Sequence, residues 1–163
     1  MKKITYIIIA IIFLTFISAC AGYKPIYTTN LQFKIVDYSI KSNKKLGRQI
    51  YYKLYNSFKS NQNNAEAQSV TITIDTTKNK DATVKDSTGK ILEYRIILNS
   101  NIIIKDYLTN DEVLNQNFSY SSMYKVQDQH SETIKLENKS IENLINKTYQ
   151  NLLTKMSEII LTK

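Results

Sequence analysis

The chain has 163 residues, enough for one ordinary domain, with 22 Lys+Arg against 14 Asp+Glu and a formal net charge of +8. One cysteine and one histidine exclude an internal disulfide framework and a Cys/His zinc site, and one proline with three glycines excludes collagen-like, Gly/Pro-linker and P-loop readings. Hydrophobic residues at 42% suffice for a packed core, while 24 Ile, 20 Lys and 16 Asn against two Arg mark a compositional skew that accounts for much of the basic charge.

Residues 1–19 have the form of a targeting segment. Lys2 and Lys3 give a positive start, and Ile4 to Ile17 form an apolar run of 14 residues, short for a membrane span of about 20. Ser18 and Ala19 are small, and Cys20 follows directly. Ile17-Ser18-Ala19-Cys20 resembles the bacterial lipobox, in which the cysteine thiol takes diacylglycerol before cleavage and the freed amine is acylated afterwards. Only a thiol gives the thioether that carries the lipid, so Cys20 is the expected lipidation site. The mature chain would run from Cys20 to Lys163 with a charge of 20 − 14 = +6, because Lys2 and Lys3 leave with the signal. Ala21, rather than an aspartate, follows the cysteine, which favours the outer membrane over retention in the inner one.

Residues 20–31 hold the proline and show no period, as expected of a lipidated tether. A strand is expected over about 31–40, with Leu31, Phe33, Ile35 and Asp37 on one parity. From Lys44 to Lys59 the period becomes helical: Leu46, Ile50, Leu54 and Phe58 recur every four residues beside Tyr51 and Tyr55, with Ser42 or Asn43 as cap. Val70, Ile72 and Ile74 alternate as a half-buried strand, and Asp86-Ser87-Thr88-Gly89 is a turn. Leu92, Tyr94, Ile96, Leu98, Ile102 and Ile104 then share one parity over about 90–107. Thr109-Asn110-Asp111 turns the chain, and Leu114, Phe118, Tyr120 and Tyr124 continue the alternation. The last thirty residues return to a helical period through Ile134, Ile141, Leu144, Ile145, Leu152, Met156, Ile159 and Ile160, with Asp128 or Ser131 as cap. The expected class is α+β: a single domain over 31–163, with two amphipathic helices packed on one face of a small, mixed, mostly antiparallel four-stranded sheet.

Little in this pattern points to catalysis. His130 sits in a polar run at a helix start, and the carboxylates are scattered singly, so an enzyme, a metal site or a cofactor is not expected. Lys44, Lys45, Arg48, Lys53 and Lys59 interleave with Tyr51, Tyr52, Tyr55 and Phe58, a pattern also found in single-strand nucleic-acid binding. An exported, lipid-anchored location argues for core-facing tyrosines and a solvated lysine face instead, with no nucleic-acid partner. The second sheet face carries Ile97, Ile103 and Tyr107 next to Arg95 and Lys105. If both helices cover the other face, this one is open to a partner protein or an anionic amphiphile.

Cys20-Ala21-Gly22-Tyr23-Lys24-Pro25-Ile26-Tyr27 resembles the Cys-Gly-Phe-x-Pro-Leu-Tyr opening of the lipopolysaccharide-assembly (LPS-assembly) lipoproteins, the LptE/RlpB-like family, with Ala21 as one extra residue. Gly47-Arg48-Gln49-Ile50 with Leu54 is similar to their first-helix segment, and Tyr107-Leu108-Thr109-Asn110-Asp111-Glu112-Val113-Leu114 to their strand–turn–strand motif. The resemblance implies a lipid-anchored, periplasm-facing protein at the outer membrane. It also implies a non-enzymatic partner that plugs the large β-barrel of the LPS translocon and binds lipopolysaccharide. On that reading Arg95 and Lys105 are candidate LPS contacts, and Ile97, Ile103 and Tyr107 candidate partner contacts. Another envelope-machine accessory or pilot lipoprotein without an LPS role is the alternative.

Overall fold

The computed structural model describes residues 32–161. The signal segment 1–19, the expected lipidation site Cys20 and the tether through residue 31 lie outside the described residues. The elements are β1 (Phe33–Ser42), α1 (Lys44–Ser57), a single 3-10 turn (Lys59–Asn61), β2 (Gln68–Lys85), β3 (Ile91–Asp106), β4 (Glu112–Lys125) and α2 (His130–Leu161). The strands form one sheet in the order β1-β2-β3-β4, with β1 parallel to β2 and the other two pairings antiparallel. The expected α+β class, with two helices and a mixed four-stranded sheet, is what the chain adopts.

α1 forms where the four-residue period required it. Leu46, Ile50, Leu54 and the following Phe58 are all buried, with Tyr51 beside them. Asn43 caps the start, its Oδ1 accepting the Leu46 N–H at 3.1 Å. Phe58 meets Phe33 of β1 edge to face at 6.1 Å. The helix also lies very close to β1 at one point: a Cβ on Gly47 would fall 2.5 Å from Ile40 Cγ2. Glycine there permits the close approach of helix and strand.

On the sheet, the residues facing the helices are the even-numbered ones of β2, β3 and β4, and Val70, Ile72, Ile74, Ile96, Leu98, Ile102, Ile104, Leu114 and Phe118 are buried among them. β1 departs from the expected parity. A bulge between Ile35 and Asp37 adds a residue to the strand. Asp37, expected on the inner parity, therefore pairs with Thr71 on the other face, and Tyr38 and Ile40 come round to the helix side, opposite Ile72 and Ile74. Tyr38 stacks on Tyr51 with ring centroids 3.9 Å apart.

β2 and β3 continue well past the region both helices can cover. Apolar alternation in β2 stops at Ile74, but backbone pairing with β3 runs on to Lys85. Leu92, expected in the core, lies near this far end and is 41% exposed. α2 closes the same face as α1 through Leu144, Ile145, Leu152, Leu153 and Met156, giving a single core. Its buried Thr148 donates its hydroxyl to the Leu144 carbonyl at 3.0 Å. Ile134, expected in the apolar stripe, is exposed in the first turns. Neither Asp128 nor Ser131 holds the helix start; Thr133 does, its hydroxyl accepting the Gln127 N–H at 2.9 Å. Ser57 of α1 and Tyr149 of α2 share a short hydroxyl–hydroxyl hydrogen bond between the helices. No described helix is long and apolar enough to cross a membrane.

Candidate functional site

With both helices on one face, the other face of the sheet stands open. Its rows follow from the strand register: Asp37–Thr71–Lys105–Glu112, Ser39–Thr73–Ile103–Asn115, Lys41–Asp75–Asn101–Asn117, Thr77–Asn99–Ser119, Asn79–Ile97–Ser121 and Asp81–Arg95–Met123. The centre of the face is a hydrogen-bonded amide and hydroxyl surface. Asn101 donates its side-chain amide to Asn117 Oδ1 at 2.7 Å and to Asn115 Oδ1 at 3.3 Å, and Ser119 donates to Asn99 Oδ1 at 2.7 Å. Here Asp75, Thr77, Asn99, Asn101, Asn117 and Ser119 line a shallow hollow of about 370 Å³. One Asp75 carboxylate oxygen is buried in it without a hydrogen-bond partner.

The residues singled out by sequence are spread along this face. Ile97 stands between Asn79 and Ser121, and Ile103 between Thr73 and Asn115, six residues along the strand, or about 20 Å apart. The two therefore form no continuous apolar patch, and the face is more polar than the alternation of β3 suggests. Arg95 and Lys105 are ten residues apart on the same strand, about 34 Å, and lie at opposite ends of the face. Arg95 makes a half-exposed ion pair of 3.6 Å with Asp81, an interaction worth about 0–1 kcal/mol that leaves the guanidinium open to a stronger anionic partner. Lys105 lies between Thr71 and Glu112. Tyr107 continues past the end of β3 into the turn, its N–H donating to the Ser69 carbonyl at 2.9 Å.

A second arrangement, on the helix face, was not visible in the sequence. Lys78 and Lys80, the even positions of β2 beyond the apolar run, both reach Glu137 of α2, at 3.2 and 2.6 Å. The Tyr124 hydroxyl donates to the same carboxylate at 2.9 Å, and the Lys80 ammonium sits 4.2 Å from the centre of the Tyr94 ring. Burial alone would raise the Glu137 carboxyl, but the hydrogen bonds from Lys80, Tyr124 and Lys78 outweigh it and hold the group at about 2. Beside this cluster, a groove of about 670 Å³ separates α1 from α2 and is lined by Lys45, Tyr52, Lys53, Lys78, Glu137 and Glu142. A carboxylate held ionised by two lysines and a phenol is a fastener for the helix, and nothing in its geometry resembles an acid–base pair. His130 is exposed as the first residue of α2. Among the described residues, no three His, Cys, Asp or Glu side chains come together as a metal site.

No protein-family model matches the chain, and no curated protein matches it. Solved structures do. Rare lipoprotein B from Shewanella oneidensis matches with a TM-score of 0.54 at 16% identity, over 77% of this chain and 97% of that one. An uncharacterized lipoprotein B from Nitrosomonas europaea matches with a TM-score of 0.54 at 15% identity, over 76% and 81%. A minor lipoprotein from Acinetobacter baumannii matches with a TM-score of 0.53 at 13% identity, over 77% and 94%. The chain has the fold of these lipoproteins, as its resemblance to the LptE/RlpB-like family implied.

Proposed function

We propose that this chain is a non-enzymatic lipoprotein, anchored through Cys20 to the outer membrane and facing the periplasm, that partners and plugs the β-barrel of the lipopolysaccharide translocon. The observation that carries the reading is the pairing of a lipobox in the sequence with a fold shared with rare lipoprotein B. The open face supports it. A sheet surface with Asn, Ser and Thr at its centre and charges of both signs towards its ends suits the wall of a barrel lumen, which is polar on the inside. Membrane attachment needs no spanning helix, because two or three acyl chains at one cysteine give stable anchoring.

Lipopolysaccharide is anionic and amphiphilic, and Arg95 and Lys105 are the two β3 cations on this face, with Lys41 paired to Asp75 at its β1 edge. Their separation of about 34 Å means that each would hold a different anionic group. Arg95→Glu and Lys105→Glu should therefore each weaken lipopolysaccharide binding, with effects that add in the double variant. Unchanged binding in the double variant would remove this face as the ligand site. The barrel contact is tested by placing a photo-crosslinking residue at Asn101 or Ser119 in cells. A single high-mass adduct containing an outer-membrane barrel is expected, and crosslinking from Lys139 on α2 without any from the sheet face would turn the docking around.

A further inference from the structure

The turn between β3 and β4 carries two adjacent apolar side chains that no packing requires: Leu108 is 85% exposed and Tyr107 51%. The turn is rigid. Asp106 Oδ1 accepts the N–H groups of Leu108 and Thr109 at 2.8 and 3.0 Å, Asn110 N–H donates to the Asp106 carbonyl, and Asn110 takes φ +61°. The hydrogen bond from Gln68, with those backbone N–H groups, holds the Asp106 carboxyl below its ordinary value, so it serves the turn as an ionised acceptor. Leu108 and Tyr107 are thus presented at a fixed tip, with little backbone freedom left to lose on docking.

The position of this tip identifies what it faces. Gln32 accepts a hydrogen bond from Gln68 N–H, and Tyr107 donates one to Ser69, so the first described residue and the tip flank the start of β2, about 10 Å apart. Gln32 lies twelve positions beyond Cys20, a reach of at most about 40 Å. The opposite end of the sheet, at the β2–β3 turn, lies a further 50 Å or so along β3. A lipid on Cys20 would therefore keep the Tyr107–Leu108 end within about 40 Å of the bilayer, the end of the sheet with the shortest path to it. The rim around the tip carries no excess of positive charge: Lys34 and Lys105 stand against Asp37, Asp106, Asp111 and Glu112. An aromatic and a leucine within such a rim suit the headgroup boundary of zwitterionic rather than anionic lipid, where amphipathic aromatic rings settle.

We infer that the Tyr107–Leu108 tip is a second membrane contact, inserted into the lipid headgroup boundary beside the acylated N-terminus. The inference rests on the lipid-anchor reading of Cys20. The chain contains no tryptophan, so a single introduced one reports its own surroundings. The experiment uses the full lipidated chain in phosphatidylethanolamine–phosphatidylcholine vesicles carrying brominated acyl chains. Leu108→Trp is compared with Leu92→Trp, an exposed apolar position at the other end of the sheet. Flotation reports the anchor, and quenching within the floated fraction reports the tip. Leu108→Trp is expected to emit to the blue of Leu92→Trp and to be quenched severalfold more strongly. A floated chain with equal, weak quenching at both positions overturns the tip contact alone. A chain that fails to float overturns the anchor, and the tip contact with it.

Discussion

Glu137→Gln removes a charge while preserving shape, and so isolates the fastener between α2 and the far half of the sheet. The carboxylate receives Lys80 at 2.6 Å, Tyr124 at 2.9 Å and Lys78 at 3.2 Å. A descent from the ordinary 4.5 to about 2 corresponds to about 3 kcal/mol at 1.36 kcal/mol per unit. The lysine side chains are 28% and 34% exposed, so solvent screening reduces the contribution to about 1–2 kcal/mol. Because the folded carboxyl is held below its unfolded value, this stability is complete above about pH 4.5 and is lost as the pH falls through about 2. Urea unfolding of the wild type and the variant between pH 7 and pH 2 measures the difference. The gap should be about 1–2 kcal/mol at pH 7 and should narrow steadily between about pH 4.5 and pH 2. Parallel pH profiles for the two proteins would refute the fastener. A gap that widens on acidification would reverse the assigned sign.

Three further outcomes follow from the packing. Gly47→Ala should lose about 1–2 kcal/mol in urea unfolding despite the gain of about 1 kcal/mol in helix propensity, because its Cβ meets the stiff, branched Ile40 side chain at 2.5 Å. Leu152→Ala opens a cavity at a fully buried position and should cost about 2–5 kcal/mol by the same measurement, a large share of a typical domain's stability. Asn43→Ala removes the side-chain acceptor for Leu46 N–H and should cost about 1 kcal/mol, with a matching fall in hydrogen-exchange protection confined to the first turn of α1.

Much of the fold was legible because period and burial agree where one face of an element meets a large core. Leu46, Ile50, Leu54 and Phe58 gave α1 its phase, and the even residues from Ile96 to Ile104 gave β3 its inner face; all nine are buried, Ser100 among them as a buried polar residue. The misplacements have particular causes. The bulge at Val36 has no signature in local composition, so simple alternation places Asp37 on the wrong face. Leu92 and Ile134 fit their periods but sit where one layer extends beyond the other. The second half of β2, Lys78 to Lys85, carries no apolar alternation to mark it as a strand, because its inner lysines face Glu137 across 57 to 59 residues of chain, a pairing no local pattern encodes. The candidate face was legible in part. Arg95, Ile97, Ile103 and Lys105 do share a parity, but alternation says nothing about the Asn and Ser ladders of β4 that make the face polar, or about the distance between the two cations.

The measurement that bears most directly on the central claim is affinity purification of a C-terminally tagged chain from detergent-solubilised envelopes, followed by mass spectrometry and detection of lipopolysaccharide in the eluate. The account predicts one large outer-membrane β-barrel in near-stoichiometric amount, retained after high-salt washing. A clean set of envelope partners without a barrel would contradict it, leaving a lipoprotein fold in the service of a different machine.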